Sequence, residues 1–225
     1  MKEIYILAEN HPWYFVGEDS IRGKITREIL RREEEIIKER NPDVVFVEYP
    51  PISKWRKEEE LKYRCPVLVE MLKFCYPNLS FEDLNEIGKE LIEKSYEKRV
   101  KFYSRIEEKY KLVFLEDYEI YREAGELYLK IKENENESHI REEFLNNAER
   151  REWGYFSKIL NEMKVMERGL VVCGISHVYR NGKLKKWIKE LGKYFNTEVI
   201  KVDLENVLDV LGKERKRIVI KEDFS

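Results

Sequence analysis

The stretch Asn41-Pro42-Asp43-Val44-Val45-Phe46-Val47-Glu48 runs from a helix stop through four apolar residues to a carboxylate. A run such as Val44 to Val47 predicts a central strand that is covered on both faces of a sheet. Upstream, Ile4 to Ala8 predicts a first strand, and isoleucines recur with helical spacing between Asp19 or Ser20 and Asn41. Strand, helix and strand in this order form a βαβ unit, which predicts a parallel pair with a right-handed crossover.

The same pattern occurs five times, because five short aliphatic runs stop at an acidic residue or a histidine. The residues at these stops are Glu9-Asn10-His11, Glu48, Glu116-Asp117, Gly174-Ile175-Ser176-His177 and Asp203. Ligand sites in open α/β sheets lie at the carboxyl ends of the strands, so such residues converge although they are far apart in sequence. The sequence therefore predicts an α/β fold with a mainly parallel central sheet flanked by helices. We expect His11, Glu48 and His177 to form one site, with Glu9 alongside.

The chain is long enough to form one α/β domain over residues 1–225, with a helical insertion after the second strand at about residues 50–110. The insertion leaves the sheet after Glu48 and returns before Leu112, so we expect it to cap the strand ends. Four aromatic residues are expected on its inner face or, alternatively, in a homodimer interface: Tyr63, Phe74, Tyr76 and Phe81. Two helices are expected between Tyr118 and Met166. Further elements are expected at about residues 184–191, near Leu208 and at Ile218 to Ile220.

Composition excludes several classes of function. Charged residues make up 39% of the chain and nearly cancel to a net charge of -2, so the chain lacks the basic field that nucleic-acid binding requires. No run approaches the ~18 apolar residues of a membrane span, and no signal peptide is visible. Three widely spaced cysteines are typical of reduced thiols, which predicts a cytoplasmic protein. Abundant Lys and Glu and the absence of glutamine indicate a thermophile.

Two imidazoles and one or more carboxylates on a rigid sheet are typical of a catalytic divalent metal, which lowers the pKa of a bound water to about 7. They are equally typical of a metal-free site in which histidine or glutamate activates water directly. The spacing does not choose between the two. The chain has no GxSxG, GxxxxGK[ST] or GxGxxG motif, so serine-hydrolase, P-loop and dinucleotide-binding functions lack their usual support.

Structural roles compete with each of these assignments. His11 can be a surface or capping histidine, and Glu48 can cap a helix or pair with a core arginine. Either Glu116 or Asp117 can be a helix N-cap, and an N-cap role is favoured for Asp203. His139 lies in a polar stretch and is placed outside the site.

Four motifs resemble the erythromycin-esterase, ChaN, TraB/PrgY and Tiki superfamily, most closely its TraB/PrgY-like members. Ala8-Glu9-Asn10-His11 resembles the N-terminal GExH of that group, and Pro42 to Glu48 resembles its PDVVxVE. Gly174 to Val178 resembles its C-terminal GxxHV, and Glu149 to Trp153 resembles the helix start that precedes it. The motifs occur in family order and span nearly the whole chain.

The resemblance implies hydrolysis of an ester, amide or peptide bond in a small-molecule or peptide substrate. It also implies a possible divalent metal (manganese, cobalt or zinc), for which the candidate ligands are His11, His177, Glu48 and Glu9. In this assignment Glu149 is a second carboxylate, and Arg150 stabilises the developing oxyanion as a fixed cation.

The alternative is a non-enzymatic protein that binds haem or a metal on the same scaffold, as ChaN-like members bind haem. Three departures from the family pattern favour it. Ala8 replaces a glycine, Arg151 stands where an aspartate is usual, and only Lys54 or Arg56 can replace the arginine that commonly follows the glutamate of the second strand. The aromatic residues Trp13, Tyr14 and Phe15 follow His11 and could stack on a planar ligand, or else pack against the first helix or a partner subunit.

Overall fold

The computed structural model describes residues 2–9, 21–133, 138–180 and 183–202. Seven strands are present in this part of the chain: β1 (Glu3–Glu9), β2 (Val44–Val47), β3 (Lys111–Phe114), β4 (Arg168–Gly174), β5 (Tyr179–Arg180), β6 (Lys183–Leu184) and β7 (Asn196–Lys201). The helices are α1 (Ile21–Arg40), α2 (Lys57–Cys75), α3 (Phe81–Glu107), α4 (Tyr118–Glu133), α5 (Ser138–Glu162), α6 (Ile175–Val178) and α7 (Lys186–Tyr194).

Five strands form one parallel sheet in the order β3-β2-β4-β1-β7. The predicted α/β class, parallel sheet and helical insertion after the second strand are therefore confirmed. Strand β4 lies at the centre, between β1 and β2, and its Gly174 is in register with Glu9 of β1. On the other side of β4, Val172 is in register with Val47 of β2, so Glu48 follows β2 beside the last residues of β4. The short strands β5 and β6 form a separate antiparallel hairpin.

Side chains that alternate along the strands build a core on each face of the sheet. On one face Ile4, Ile6 and Phe46 pack with residues of α5 and α7, including Tyr155 and Trp187. On the other face the core combines strand residues with α1 and α3; its members include Leu7, Val45, Val47, Ile29, Ile37, Phe102 and Tyr103. Because β2 is buried on both faces, its uninterrupted apolar run fits its interior position between β3 and β4.

Helices α2 and α3 form the predicted insertion. Leu68 and Leu72 of α2 pack against Leu84 and Leu91 of α3 in a third apolar cluster, and Ser80 caps α3 by accepting a hydrogen bond from the backbone N–H of Asp83. The later part of α3 returns to the sheet, where Phe102, Tyr103 and Ile106 are buried. The end of α3 therefore covers one face of the sheet, whereas α2 and the start of α3 pack against each other.

The predicted inner aromatic face of the insertion is wrong for two of its four residues. Tyr63 is buried, but Tyr76 is 45% exposed and Phe81 72% exposed at the far end of the α2–α3 pair. Both lie next to the turn that joins the helices, beyond the reach of the sheet. The side chain of Phe74 lies outside the described part of the structure.

Several further predictions fall on residues that the structure does not describe. These are the caps Asp19 or Ser20, the cap Asp203, the helix near Leu208 and the strand from Ile218 to Ile220. No helix among the described residues is both long and apolar enough to cross a membrane.

Candidate functional site at the carboxyl edge of the sheet

Glu48 is placed at the edge of the sheet by the strand that it terminates. The backbone N–H of Glu48 donates to Val172 O at 3.1 Å, which extends the β2–β4 pairing by one residue. Its carboxylate Oε2 then accepts a hydrogen bond from the backbone N–H of Gly174 at 2.6 Å. The side chain is 93% buried. A carboxylate at this depth needs partners, and the end of β4 supplies them.

His177 is the principal partner of Glu48. It lies on the single-turn helix α6, which begins directly after Gly174, so that strand end and histidine are held together. The imidazole Nε2 is 3.0 Å from Glu48 Oε1, and the backbone carbonyl of His177 accepts a 2.8 Å hydrogen bond from Trp187 Nε1. The ring also lies against Tyr155, with centroids 5.7 Å apart. These contacts fix the ring between β2, α5 and α7.

The electrostatic surroundings keep His177 protonated at neutral pH. Burial by itself lowers the pKa of the imidazole, because a charged ring loses hydration. The negative charge of Glu48 and the contacts with Glu152 and Glu48 outweigh burial and raise the pKa from 6.5 to about 9. The resting group is therefore an imidazolium.

Glu152 of α5 approaches the other ring nitrogen. Its Oε1 lies 3.5 Å from His177 Nδ1, an ion-pair distance. The direction is not that of a hydrogen bond, and Nδ1 has no hydrogen-bond partner among the described residues. The same Oε1 accepts a short hydrogen bond from Lys185 Nζ. Glu152 is thus a carboxylate shared between an imidazolium and an ammonium group.

A second buried ion pair lies beside this cluster. Arg151 donates Nε to Glu116 Oε1 at 2.9 Å and Nη2 to Oε2 of the same carboxylate, a two-point contact. The hydroxyl of Tyr155 also donates to Glu116 Oε2, at 2.7 Å. Burial raises the pKa of Tyr155 well above its usual value, so the hydroxyl stays protonated. With His177 charged, the carboxylates of Glu48, Glu116 and Glu152 lie beside three cations. These are His177, Arg151 and Lys185.

The structure separates the two adjacent acids at the end of β3. Asp117 is the helix N-cap, because its Oδ1 accepts from the backbone N–H groups of Glu119 and Ile120. Glu116 instead points inward to Arg151. Lys158 secures the loop by donating to the carbonyl of Leu115 at 2.8 Å, and burial lowers the pKa of its ammonium.

The structure does not bring the predicted pair Glu149 and Arg150 to His177. Both are exposed, and Arg150 pairs with Glu123 of α4 on the outer surface. The residues that face the site are their neighbours Arg151 and Glu152. The reason is the phase of α5: Tyr155 and Ile159 are buried in the core, and Arg151 lies one turn before Tyr155 on the same stripe. The spacing of four residues between Tyr155 and Ile159 is the sequence signal that could have identified the face of α5 that packs on the sheet.

The remaining predicted residues lie at or beyond the limit of the described structure. Glu9 ends β1 in register with Gly174, which places its backbone beside the site, but its side chain is not described. His11 and the aromatic residues Trp13, Tyr14 and Phe15 also lie outside the described ranges. Within those ranges no group of three His, Cys, Asp or Glu residues could hold a metal ion.

A groove of about 630 Å³ opens next to Glu152, between α5 on one side and the β5–β6 hairpin with α7 on the other. Its apolar lining includes Trp153, Tyr179, Leu184 and Trp187. Glu152 lies in its wall and also contacts His177, so it connects the groove with the buried cluster. The volume is within the usual range for a small-molecule site.

Comparisons with protein-family models, curated proteins and solved structures gave no significant match.

Proposed function

We propose that this chain is a hydrolase of an ester, amide or peptide bond in a small-molecule or peptide substrate. One observation carries the proposal: the ring of His177 lies between two carboxylates, of which Glu48 is buried and Glu152 lines a groove. Hydrolysis needs a group that accepts a proton from water and a group that returns one to the leaving atom. A carboxylate and an imidazolium side by side offer both.

In this proposal Glu152 is the base and His177 the acid. Glu152 accepts a proton from a water in the groove, and that water attacks the carbonyl carbon of the substrate. The Nδ1 atom of His177 is buried, so its proton reaches the leaving group through Glu152, whose Oε1 lies 3.5 Å away, as the carbon–heteroatom bond breaks. Glu48 keeps Nε2 charged and oriented, as a carboxylate does behind many catalytic histidines.

Lys185 takes the electrostatic role that the sequence assigned to Arg150. Its ammonium lines the groove and is held beside Glu152, so it is a fixed cation near the point where an oxyanion develops. The pair of Arg151 and Glu116 lies behind these groups and holds α5 against the end of β3.

A divalent metal is compatible with part of this cluster. A metal would need the ring of His177 to be neutral, because a protonated Nε2 has no lone pair to give. Nε2 of His177 and Oε1 of Glu48 would then be donor atoms of the type that zinc, cobalt and manganese accept. The cation would lower the pKa of a bound water. The other predicted ligands, His11 and Glu9, would have to complete the site.

The test is a panel of chromogenic esters and peptide anilides, assayed with EDTA and with added manganese, cobalt or zinc. We expect Glu152→Gln to lower kcat/KM by about 10²- to 10⁴-fold, the usual contribution of a general base. Glu142→Gln, an exposed glutamate on the same helix, is the matched control and should change kcat/KM less than about twofold.

Three results would contradict the proposal. The first is no turnover of any substrate under any metal condition. The second is full activity in Glu152→Gln. The third is a larger loss in Glu149→Gln than in Glu152→Gln, which would return the role of second carboxylate to Glu149.

A further inference from the structure

We infer that the groove between α5 and α7 binds the anionic part of the substrate, so that the preferred substrate carries a carboxylate or phosphate group besides the bond that is cleaved. This inference rests on the proposed function, because it names the substrate class of the same site. It depends on the charge of the groove, which differs from that of the chain as a whole.

Five cations line the groove, and among the described residues only one of them has an ion-pair partner. They are Arg180, Lys183, Lys185, Lys186 and Lys189. Lys185 pairs with Glu152, whereas the other four form no ion pair with the residues that the structure describes. Glu149 is the remaining acid among the described lining residues. A surplus of positive charge in a chain of net charge -2 is a local feature, and it attracts anions.

Two of these lysines lie at the start of α7, where they add to the positive charge of the groove. Lys185 is the N-cap of the helix and Lys186 its first residue, and the first turn contains no acidic residue. Cations there repel the positive end of the helix dipole, so this arrangement costs helix stability. A bound anion would relieve that repulsion. The first backbone N–H groups of α7, which have no partner within the helix, are donors at this same helix terminus.

The shape of the groove agrees with a small ligand that has an apolar body. Trp153 and Leu184 supply part of an apolar wall, and the five cations line the same groove. Lysine acts as a point charge without strict geometry, so the groove suits carboxylate and phosphate oxygens alike. At the inner end Glu152 marks the position of the bond that is cleaved.

Binding of citrate and of tripolyphosphate to the full chain, measured by calorimetry at low and at moderate salt, tests the inference. We expect both anions to bind, the affinity to fall with added salt, and the double variant K183E/K186E to weaken binding about tenfold or more. The control K73E/K101E reverses two exposed lysines on α2 and α3 and should change the affinity less than twofold. The tighter of the two anions identifies carboxylate or phosphate as the favoured group.

A kinetic arm separates this inference from the proposed function. The succinylated form of one chromogenic alanine anilide carries a negative charge, and its methyl succinyl ester is neutral and of similar size. We expect the charged form to have the lower KM in the wild type but not in K183E/K186E. If no substrate is turned over while the anions bind in a K183E/K186E-dependent way, hydrolysis is wrong and the anion site stands. If neither anion binds, or both double variants weaken binding equally, the anion site is wrong whatever the hydrolysis assay gives.

Discussion

Glu48 joins the strand end to the histidine: its Oε1 lies 3.0 Å from His177 Nε2, while its Oε2 accepts the backbone N–H of Gly174. One carboxylate thus fixes the start of α6 and the charge of the ring that α6 carries. Because β2 and β4 are neighbours in the sheet, this contact follows directly from the strand order.

Removing the charge of Glu48 should lower the pKa of His177. We expect Glu48→Gln to lower it from about 9 towards its ordinary value of 6.5, because burial then acts with less opposition. Titration of the ring nitrogens by NMR measures the shift. Glu149→Gln is the control and should leave the titration in place. An unchanged pKa in Glu48→Gln would show that the contact does not exist in solution.

The raised pKa of His177 predicts a pH dependence of stability. A group whose pKa is higher in the folded chain stabilises the fold fully below its unfolded pKa of about 6.5, and that contribution is lost as the pH rises through about 9. The difference in unfolding free energy between wild type and His177→Asn should therefore shrink between pH 6.5 and 9, by about 2–3 kcal/mol. Urea denaturation at several pH values measures it. A difference that grows over this range would reverse the predicted sign.

Arg151 and Arg150 should behave differently although they are adjacent. Arg151→Met leaves the buried carboxylate of Glu116 without its cation, so we expect a loss of about 3–5 kcal/mol in unfolding free energy. Arg150→Met removes an exposed pair with Glu123 and should cost less than about 1 kcal/mol. Chemical denaturation of the two variants compares them directly. Equal losses would mean that the phase of α5 is wrong.

Two glycines test the packing of the helices in the same way. A Cβ at Gly125 of α4 would lie 2.5 Å from the ring of Tyr63 on α2, so Gly125→Ala should destabilise the chain. A Cβ at Gly154 of α5 would meet no atom within 4 Å apart from its chain neighbours and the nearby backbone of its own helix, so Gly154→Ala should stabilise the chain by about 0.5–1 kcal/mol through helix propensity. Thermal unfolding distinguishes the two signs. A stabilising Gly125→Ala would show that α2 and α4 do not pack as described.

The fold was predictable because its signals are local. The apolar run Val44 to Val47 and the isoleucines of α1 each identify an element without reference to the rest of the chain. Convergence of Glu48 and His177 followed from the rule that parallel strands end at one edge. The described contacts of Glu48 include a histidine and the backbone N–H of Gly174, the N-cap residue of α6, and its charge also acts on the buried Arg151.

The residues of α5 were harder to assign, because a short motif does not give the phase of a helix. Glu149, Arg150, Arg151 and Glu152 together cover a full turn, so which of them face inward depends on the packing of Tyr155 and Ile159. Lys185 was not identified because its contact with Glu152 is made between elements distant in sequence, and nothing local distinguishes it from Lys183 or Lys186.

The most direct test of the central claim, that the His177 cluster performs hydrolysis, is the kcat/KM of His177→Asn on the best substrate of the panel. Asparagine keeps a polar side chain without the ionisable ring, and His139→Asn, on the exposed start of α5, is the matched control. We predict a loss of about 10²- to 10⁴-fold for His177→Asn and less than a twofold change for His139→Asn, with both variants folded by circular dichroism. A folded His177→Asn variant with wild-type kcat/KM would contradict the account.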